Sequence, residues 1–97
     1  MLSQSEKKQL KALASKETVK YQIGKNEITD SVIDVLNKAL TARELIKIDV
    51  LKGAINPVME IALDLSSRLN ADIVQVVGRV IVLFRRNKEN PKIKLKK

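Results

Sequence analysis

The sequence predicts a single α/β domain with the element order αβαβαββ, in which three helices pack on a four-stranded mixed sheet. Apolar residues recur at helical spacing in three segments and alternate with polar residues in others. Strands separated by helices require crossover connections and a partly parallel sheet, and a final hairpin adds an antiparallel pair. A length of 97 residues provides one core and no second one.

The N-terminal part of the chain predicts a helix over residues 5–15 and a strand over residues 19–23. The helix has apolar residues at helical spacing, namely Leu10, Leu13 and Ala14. Either Ser3 or Ser5 is suited to cap its start. The strand alternates apolar and polar side chains, which is typical of a half-buried strand.

A second helix and strand follow. Thr29 is placed to cap the helix, and Asp30 in the first turn complements the helix dipole. The apolar face of this helix comprises Val32, Ile33, Leu36 and Leu40. The second strand is predicted over residues 45–51, after which Lys52 and Gly53 turn the chain.

The last three elements are a helix and a β-hairpin. Pro57 is expected in the first turn of the helix, with Asn56 as its cap. Strands are predicted over residues 73–77 and 80–84, and a two-residue turn of Gly78 and Arg79 joins them. The apolar stripe of the helix comprises Val58, Ile61, Ala62, Leu65 and Leu69.

The composition excludes several classes of function. The chain has no Cys and no His, which removes disulfides, zinc thiolate sites, cysteine nucleophiles and the commonest general base. No apolar stretch approaches the ~20 residues that span a bilayer. The N-terminus lacks the apolar segment of a signal peptide, so a cytoplasmic location is expected.

The net charge of +8 is concentrated at the C-terminus, where residues 85–97 carry seven cations against Glu89. Helical and strand periodicity stops after Arg86, so we expect a domain over residues 1–86 and an extended or flexible basic tail over residues 87–97. Such a tail either solubilises the protein or binds a polyanion, and nucleic acid is the favoured partner because its phosphates release counterions on binding. A membrane is disfavoured, because the tail has no amphipathic helical pattern.

The turn Gly24-Lys25-Asn26-Glu27 lies between the first strand and the helix that begins after Thr29. Helix N-termini present free N–H groups and a partial positive charge, which favours a phosphate at this position. Gly24 either provides a turn dihedral or lets a ligand approach the backbone, and Lys25 adds a positive charge. The alternative is a plain connection between a strand and a helix.

Four separated blocks of sequence resemble the CRM domain, the YhbY-like RNA-binding family, and the resemblance extends over nearly the whole chain. The blocks are Ile23-Gly24-Lys25-Asn26-Glu27-Ile28-Thr29, Val32-Ile33, Glu44-Leu45-Ile46-Lys47-Ile48 and Val74-Gln75-Val76-Val77-Gly78-Arg79-Val80-Ile81-Val82-Leu83-Phe84-Arg85. The resemblance implies a fold similar to the C-terminal domain of translation initiation factor 3. Bacterial single-domain members resemble ribosome-assembly proteins that associate with precursors of the large subunit, and plant relatives act in intron splicing.

The family's loop is usually G-x-x-G, similar to the loop with which KH domains clamp a nucleic-acid backbone. Gly24, Lys25 and Asn26 match its first three positions, and the resemblance implies that they contact RNA. Glu27 replaces the closing glycine, and a carboxylate there is expected to repel a phosphate.

Other cations are candidates for the same contact. Arg85 and Arg86 follow the last strand, and guanidinium groups match phosphate oxygens two at a time. Arg79 lies in a turn that arginine does not favour. Lys47 and Lys88 are further candidates, and Lys7, Lys8 and Lys11 of the first helix extend the set. The alternative for these cations is that they are simply solvated.

The remaining motifs argue against other functions. Tyr21 and Phe84 are the only aromatic residues and are expected in the core, which disfavours recognition of single-stranded bases by stacking. Asp30 and Asp34 are better explained by the helix dipole and solvation than by Mg²⁺. No P-loop or nucleophile–base pair occurs, so a non-enzymatic RNA-binding protein is predicted, without a cofactor or a small-molecule substrate. The alternative is a general module that binds polyanions or acidic partners through its tail.

Overall fold

The computed structural model describes residues 2–18, 20–24 and 28–95. The elements in chain order are α1 (Gln4–Lys16), β1 (Lys20–Ile23), α2 (Asp30–Arg43), β2 (Leu45–Val50), α3 (Val58–Leu69), β3 (Asp72–Val77) and β4 (Val80–Phe84). The predicted α/β order αβαβαββ is confirmed.

The first two helices begin where their capping residues predict. The Ser3 hydroxyl accepts a hydrogen bond from the Glu6 N–H at 3.1 Å, and the Glu6 carboxylate accepts one from the Ser3 N–H at 3.0 Å. This reciprocal capping box selects Ser3 over Ser5 as the cap. The Thr29 hydroxyl accepts from the Val32 N–H at 3.2 Å, which confirms Thr29 as the cap of α2.

The start of α3 differs from the prediction. Pro57, and not Asn56, occupies the capping position, and it provides no side-chain hydrogen bond. Its ψ of 146° is extended, so it lies just outside the first turn, in which it was expected. The helix ends as a left-handed cap at Asn70, whose φ is 54°.

The four strands form a mixed sheet in the order β1-β2-β4-β3. β1 is parallel to β2, as the intervening helix requires, and β4 is antiparallel to both β2 and β3. Gly78 has a φ of 58° at the first position of the β3–β4 turn, which is the conformation that a type II′ hairpin demands there.

Both faces of the sheet carry a core. On one face, alternate strand residues such as Ile48, Ile81 and Leu83 pack against α2 and α3. On the other face, Leu10 and Ala14 of α1 pack against a cluster of strand residues, Leu45, Val74, Val82 and Phe84. β4 is covered on both sides, which explains why its sequence is a continuous apolar run. Such a strand lacks the alternation of polar and apolar residues that a half-buried strand has.

The segment 87–95, which we call the strap, contains no helix or strand. Two of its residues, Ile93 and Leu95, nevertheless pack against the cluster beneath α1. The expectation of an extended or flexible tail is therefore corrected for this segment, because apolar contacts and hydrogen bonds hold it on the domain. The division of the chain at residue 86 stays a prediction.

The register defines two opposite ends of the sheet. Ile23 pairs with Val50 at what we call the loop end, and Leu45 pairs with Phe84 at the strap end. A strand of five or six residues is about 17–20 Å long, so the two ends are separated by roughly that distance.

Candidate nucleic-acid interface

Gly24 lies at the loop end, directly after β1. Its φ is not in the left-handed region, in contrast to that of Gly78. A Cβ added to Gly24 would have Leu51 Cδ1 as its nearest neighbour, at an ordinary contact distance of 3.7 Å. A left-handed turn dihedral therefore does not explain the glycine, and its contact with a ligand stays a prediction. Lys25, Asn26 and Glu27 lie outside the described residues.

An apolar groove of about 300 Å³ opens between β1 and the first turns of α2. Tyr21, Val32 and Val35 are among the residues that line it, and Val35 is 52% exposed. Tyr21 also packs on the first core, whereas Phe84 is buried in the second. The prediction that the aromatic residues belong to the core is thus confirmed for Phe84, while Tyr21 also contributes to the groove.

Arg79 lies in the hairpin turn at the same end of the sheet. Its Nε donates to the Val50 carbonyl at 2.9 Å, and its Nη2 donates to the Leu51 carbonyl at 2.8 Å. The guanidinium group thus ties the hairpin to the end of β2, and this accounts for an arginine in the turn. A phosphate would have to compete with these two carbonyl oxygens for the same N–H groups.

Lys47 lies midway along β2, on the face that α1 covers. The side chain is half-buried, and its Nζ donates to the Glu17 carbonyl at 3.3 Å. This contact joins the centre of the sheet to the end of α1, and contact of Lys47 with RNA stays a prediction.

Arg85 lies at the strap end and connects the C-terminal halves of α2 and α3. Its Nη1 donates to Asn37 Oδ1 at 2.7 Å and to the Leu69 carbonyl at 2.9 Å. Its Nη2 donates to the Asn37 carbonyl and to the Thr41 hydroxyl, both at 2.9 Å. Both terminal nitrogens are therefore used within the protein, although the positive charge remains.

Arg86 and Lys88 differ from each other in their contacts. Arg86 Nη1 donates to the Ile93 carbonyl at 2.6 Å and lies 3.7 Å from Glu44 Oε2. The same guanidinium group lies over the Phe84 ring, 5.4 Å from its centroid. Lys88 is exposed on the strap. Lys88 is thus accessible to a ligand, and within the described part of the chain no hydrogen bond of its ammonium group is seen that a phosphate would have to displace.

Glu44 is not among the predicted site residues, but its position and contacts are unusual. It follows the last residue of α2 and has a φ of 65°, a region that non-glycine residues seldom adopt. Its side chain is fully buried at 0% exposure. The Glu44 carboxylate accepts from the backbone N–H groups of Asn87, Lys92 and Ile93 at 2.6, 2.7 and 2.6 Å.

These contacts change the acidity of Glu44. Burial raises the pKa of the carboxyl group, but the three N–H donors and the charge of Arg86 outweigh it and leave the pKa below its ordinary value of 4.5. Glu44 is therefore ionised at neutral pH, and it holds the strap by charge-assisted hydrogen bonds.

One short pattern in the sequence could have indicated the docking of the strap, which was expected to be an extended or flexible tail. Residues 92–95 read Lys-Ile-Lys-Leu, which alternates polar and apolar side chains in the way that a half-buried extended segment does. Glu44 begins one of the blocks that carry the family resemblance, but the block gives no sign that its side chain is buried, because its three partners lie 43 to 49 positions further along the chain.

The structure distributes the predicted RNA-binding residues over the molecule. Gly24 and Arg79 lie together at the loop end, and Lys47 lies between the two ends. Arg85, Arg86 and Lys88 lie at the strap end. A single phosphate cannot reach both ends, whereas an extended nucleic acid can, because the ends are about 17–20 Å apart.

Asp30 and Asp34 are the two carboxylates that were considered as ligands of Mg²⁺. Asp34 pairs with Lys38 at 3.1 Å on the exposed face of α2. Within residues 2–18, 20–24 and 28–95, no group of three or more His, Cys, Asp or Glu residues is placed to hold a metal ion. Over the same residues, no helix has the length and apolar character that crossing a membrane requires.

The chain matches known proteins along nearly its entire length. The family model of the CRS1 / YhbY (CRM) domain matches residues 2–85. "Probable RNA-binding protein YqeI" of Bacillus subtilis is 36% identical over 95 residues, which cover 98% of this chain and 99% of the relative. "Probable RNA-binding protein PA4753" of Pseudomonas aeruginosa is 27% identical over 86 residues, which cover 89% of this chain and 83% of the relative.

The fold also matches a solved structure. The solution structure of SAV1595 from Staphylococcus aureus, described as "a putative RNA binding protein", superposes with a TM-score of 0.81. The two proteins are 38% identical, and the match covers 99% of this chain and 100% of the other.

Proposed function

Because the chain belongs to the CRS1 / YhbY (CRM) domain family, we propose that it binds structured RNA and carries out no reaction on it. The names of its relatives in three bacteria support RNA as the ligand. The net charge of +8 supports a polyanion, since each cation near a phosphate releases a counterion. We propose further that the RNA is precursor large-subunit ribosomal RNA and that the protein acts in the cytoplasm.

In this proposal the primary contact lies at the loop end, where a phosphate meets the N-terminus of α2. The observation that supports it is Gly24, whose φ is not left-handed and whose missing Cβ leaves the backbone open to a close ligand directly after β1. Lys25 and Asn26 follow it in the loop, and the first turn of α2 supplies N–H groups and a partial positive charge.

The other predicted cations support this contact in different ways. We propose that Lys47, Arg79, Arg85 and Arg86 contribute positive potential, since each already donates at least one hydrogen bond to an acceptor within the protein. Lys88 is proposed to contact phosphate directly, because its side chain is exposed.

The test is replacement of Lys25 by alanine, with Lys38→Ala on the exposed face of α2 as the control of equal charge. We expect Lys25→Ala to weaken binding to an RNA stem-loop about fivefold at fixed salt and to reduce the salt slope by about one unit, with a smaller effect of Lys38→Ala. Fluorescence anisotropy over a salt series measures both quantities. Equal effects of the two substitutions would contradict a site at the loop.

The second candidate function is general polyanion binding through the C-terminus, which the exposed Lys88, Lys92 and Lys94 favour. It predicts that deletion of residues 87–97 abolishes binding and that RNA and duplex DNA bind equally well. The first candidate predicts that the truncated protein keeps a preference for structured RNA and shows a flatter salt dependence.

The ribosomal part of the proposal is tested in cells. We expect crosslinking followed by sequencing of the bound RNA to recover precursor large-subunit ribosomal RNA. Recovery of messenger or transfer RNA without ribosomal RNA would exclude the assembly role.

A further inference from the structure

The strap places its lysines on one side and its apolar residues on the other. Ile93 and Leu95 pack against the cluster beneath α1, whereas Lys92 and Lys94 are exposed. Burial of the two apolar residues against the domain thus leaves the two lysines in solvent. Lys88 is exposed on the same segment.

One buried side chain makes three hydrogen bonds to the backbone of the strap. Glu44 Oε1 accepts from the N–H groups of Lys92 and Ile93, and Glu44 Oε2 accepts from that of Asn87. Asn87 closes the first half of the strap, because its Oδ1 accepts from the N–H groups of Glu89 and Asn90, both at 3.1 Å. Its Nδ2 donates to the Thr41 carbonyl at 3.0 Å.

From this geometry we propose that Glu44 is a positioning residue for a second RNA-contact surface, formed by Lys88, Lys92 and Lys94 of the strap. This inference rests on the proposed function and adds a surface at the opposite end of the sheet from the Gly24 loop. RNA that meets an ordered segment does not have to restrict a free tail, and avoiding that loss of entropy strengthens binding. The ligand group is the phosphate backbone, because the exposed side chains of this surface are ammonium groups.

The expected effect of Glu44→Gln on RNA affinity is opposite to the effect that its change in charge alone predicts. Glu44→Gln removes one negative charge, and simple electrostatics predicts tighter RNA binding. A glutamine nevertheless turns an NH₂ group towards backbone donors that a carboxylate oxygen accepts in the native protein. We expect Glu44→Gln to release the strap and weaken binding about tenfold, in line with the ordering cost of a free segment.

Glu89→Gln is the matched control. Glu89 is an exposed acid on the strap itself, and its replacement removes the same charge without touching the contacts of Glu44. We expect this variant to bind RNA as tightly as the wild type or more tightly. Anisotropy titrations with a fluorescent RNA stem-loop compare the variants, and amide hydrogen exchange at Lys92 and Ile93 reports whether the strap is released.

A second background separates positioning from general damage to the fold. We expect Glu44→Gln to change affinity by less than about twofold when it is added to Lys88→Ala, Lys92→Ala and Lys94→Ala, because positioning matters only while the lysines are present. Independent effects in the combined variant would overturn the proposal. Unchanged affinity of Glu44→Gln in the native background, with the strap released, would overturn it as well.

If Glu44→Gln does not fold, Asn87→Ala takes its place, since it loosens the strap and leaves Glu44 buried and charged. We expect about threefold weaker binding from it, and native affinity with faster exchange in the strap would overturn the proposal. Titration with duplex DNA of the same length distinguishes a failure of the proposed function from a failure of the role proposed for Glu44. A wild type that does not prefer RNA contradicts the proposed function, whereas an intact preference that Glu44→Gln leaves unaltered contradicts only the role of Glu44.

Discussion

The loop end and the strap end of the sheet both carry cations, but they hold their segments in different ways. At the loop end, backbone hydrogen bonds such as that from the Leu51 N–H to the Ile23 carbonyl, and two bonds from the Arg79 guanidinium group, join the strand ends. At the strap end, a buried carboxylate draws together backbone groups from a segment more than 40 positions away. The loop end can thus be recognised in the sequence from a short motif. The contacts of the strap end join distant residues, so they become visible only in the folded protein.

The two ends share one property. The guanidinium groups of Arg79, Arg85 and Arg86 all donate to backbone carbonyls, whereas Lys88, Lys92 and Lys94 are exposed. A guanidinium group offers several N–H donors in a rigid fork, which suits it to groups of carbonyls at strand and helix ends. Arg79, Arg85 and Arg86 contribute to the net charge, but their guanidinium groups are only partly free to bind phosphate.

The largest effect is expected at Glu44. Glu44→Gln should lower the free energy of unfolding by about 3 kcal/mol at pH 7, because several hydrogen bonds to a charged group are lost. The folded-state pKa of Glu44 is lowered, so its contribution is full above the ordinary value of 4.5 and is lost as the pH falls through the folded-state value. The stability curves of wild type and variant should converge in acid.

Urea denaturation followed by circular dichroism between pH 7 and pH 3 measures this difference. Glu89→Gln serves as the control and should follow the wild type throughout, because Glu89 is exposed. A difference between wild type and Glu44→Gln that stays constant down to pH 3 would show that the charge of Glu44 does not hold the strap.

Arg85→Lys is expected to have the next largest effect. It keeps the charge but loses the fork that reaches Asn37, Thr41 and the Leu69 carbonyl, at a cost of about 2 kcal/mol. Thermal unfolding measures this loss, and the RNA affinity of the folded protein should stay within about twofold of the wild type. Native stability with a large loss of affinity would instead place Arg85 in contact with RNA.

The smallest effects are expected at two glycines of the loop end. Gly78→Ala should cost about 1 kcal/mol, because its φ of 58° strains any residue with a Cβ. Gly24→Ala should change stability by less than about 0.5 kcal/mol, since its added Cβ meets only Leu51 Cδ1 at 3.7 Å. The order should reverse for RNA binding, which Gly24→Ala weakens and Gly78→Ala leaves unchanged. Equal RNA affinities would remove the argument for close approach at Gly24.

The sequence was most informative where structure depends on neighbouring residues. Ser3 and Thr29 cap their helices through groups three positions away, and the Gly78 turn fixes the register of the hairpin. These features follow from local geometry, which is why they can be predicted. The family resemblance, based on ordered blocks of residues, is confirmed by the match over residues 2–85.

The strap end could not be predicted in the same way. Glu44 has the sequence context of an ordinary acid between a helix and a strand, and the acceptors of Arg85 include backbone carbonyls, which have no sequence signature. The cap of α3 was predicted one residue too early, because Asn is a better capping residue than Pro by local preference alone. Tertiary packing decided these positions.

The sheet order also sets the order of events when the chain is made. β4 lies between β2 and β3 but is the last strand to be synthesised, so the sheet cannot close until residue 84 has left the ribosome. Before that point, β1 and β2 can pair only with each other, and β3 has no neighbour. The contacts of Glu44 are completed later still, because the last backbone N–H group that its carboxylate accepts from belongs to Ile93. The N-terminal half of this domain therefore depends on the segment after α3 for its native structure.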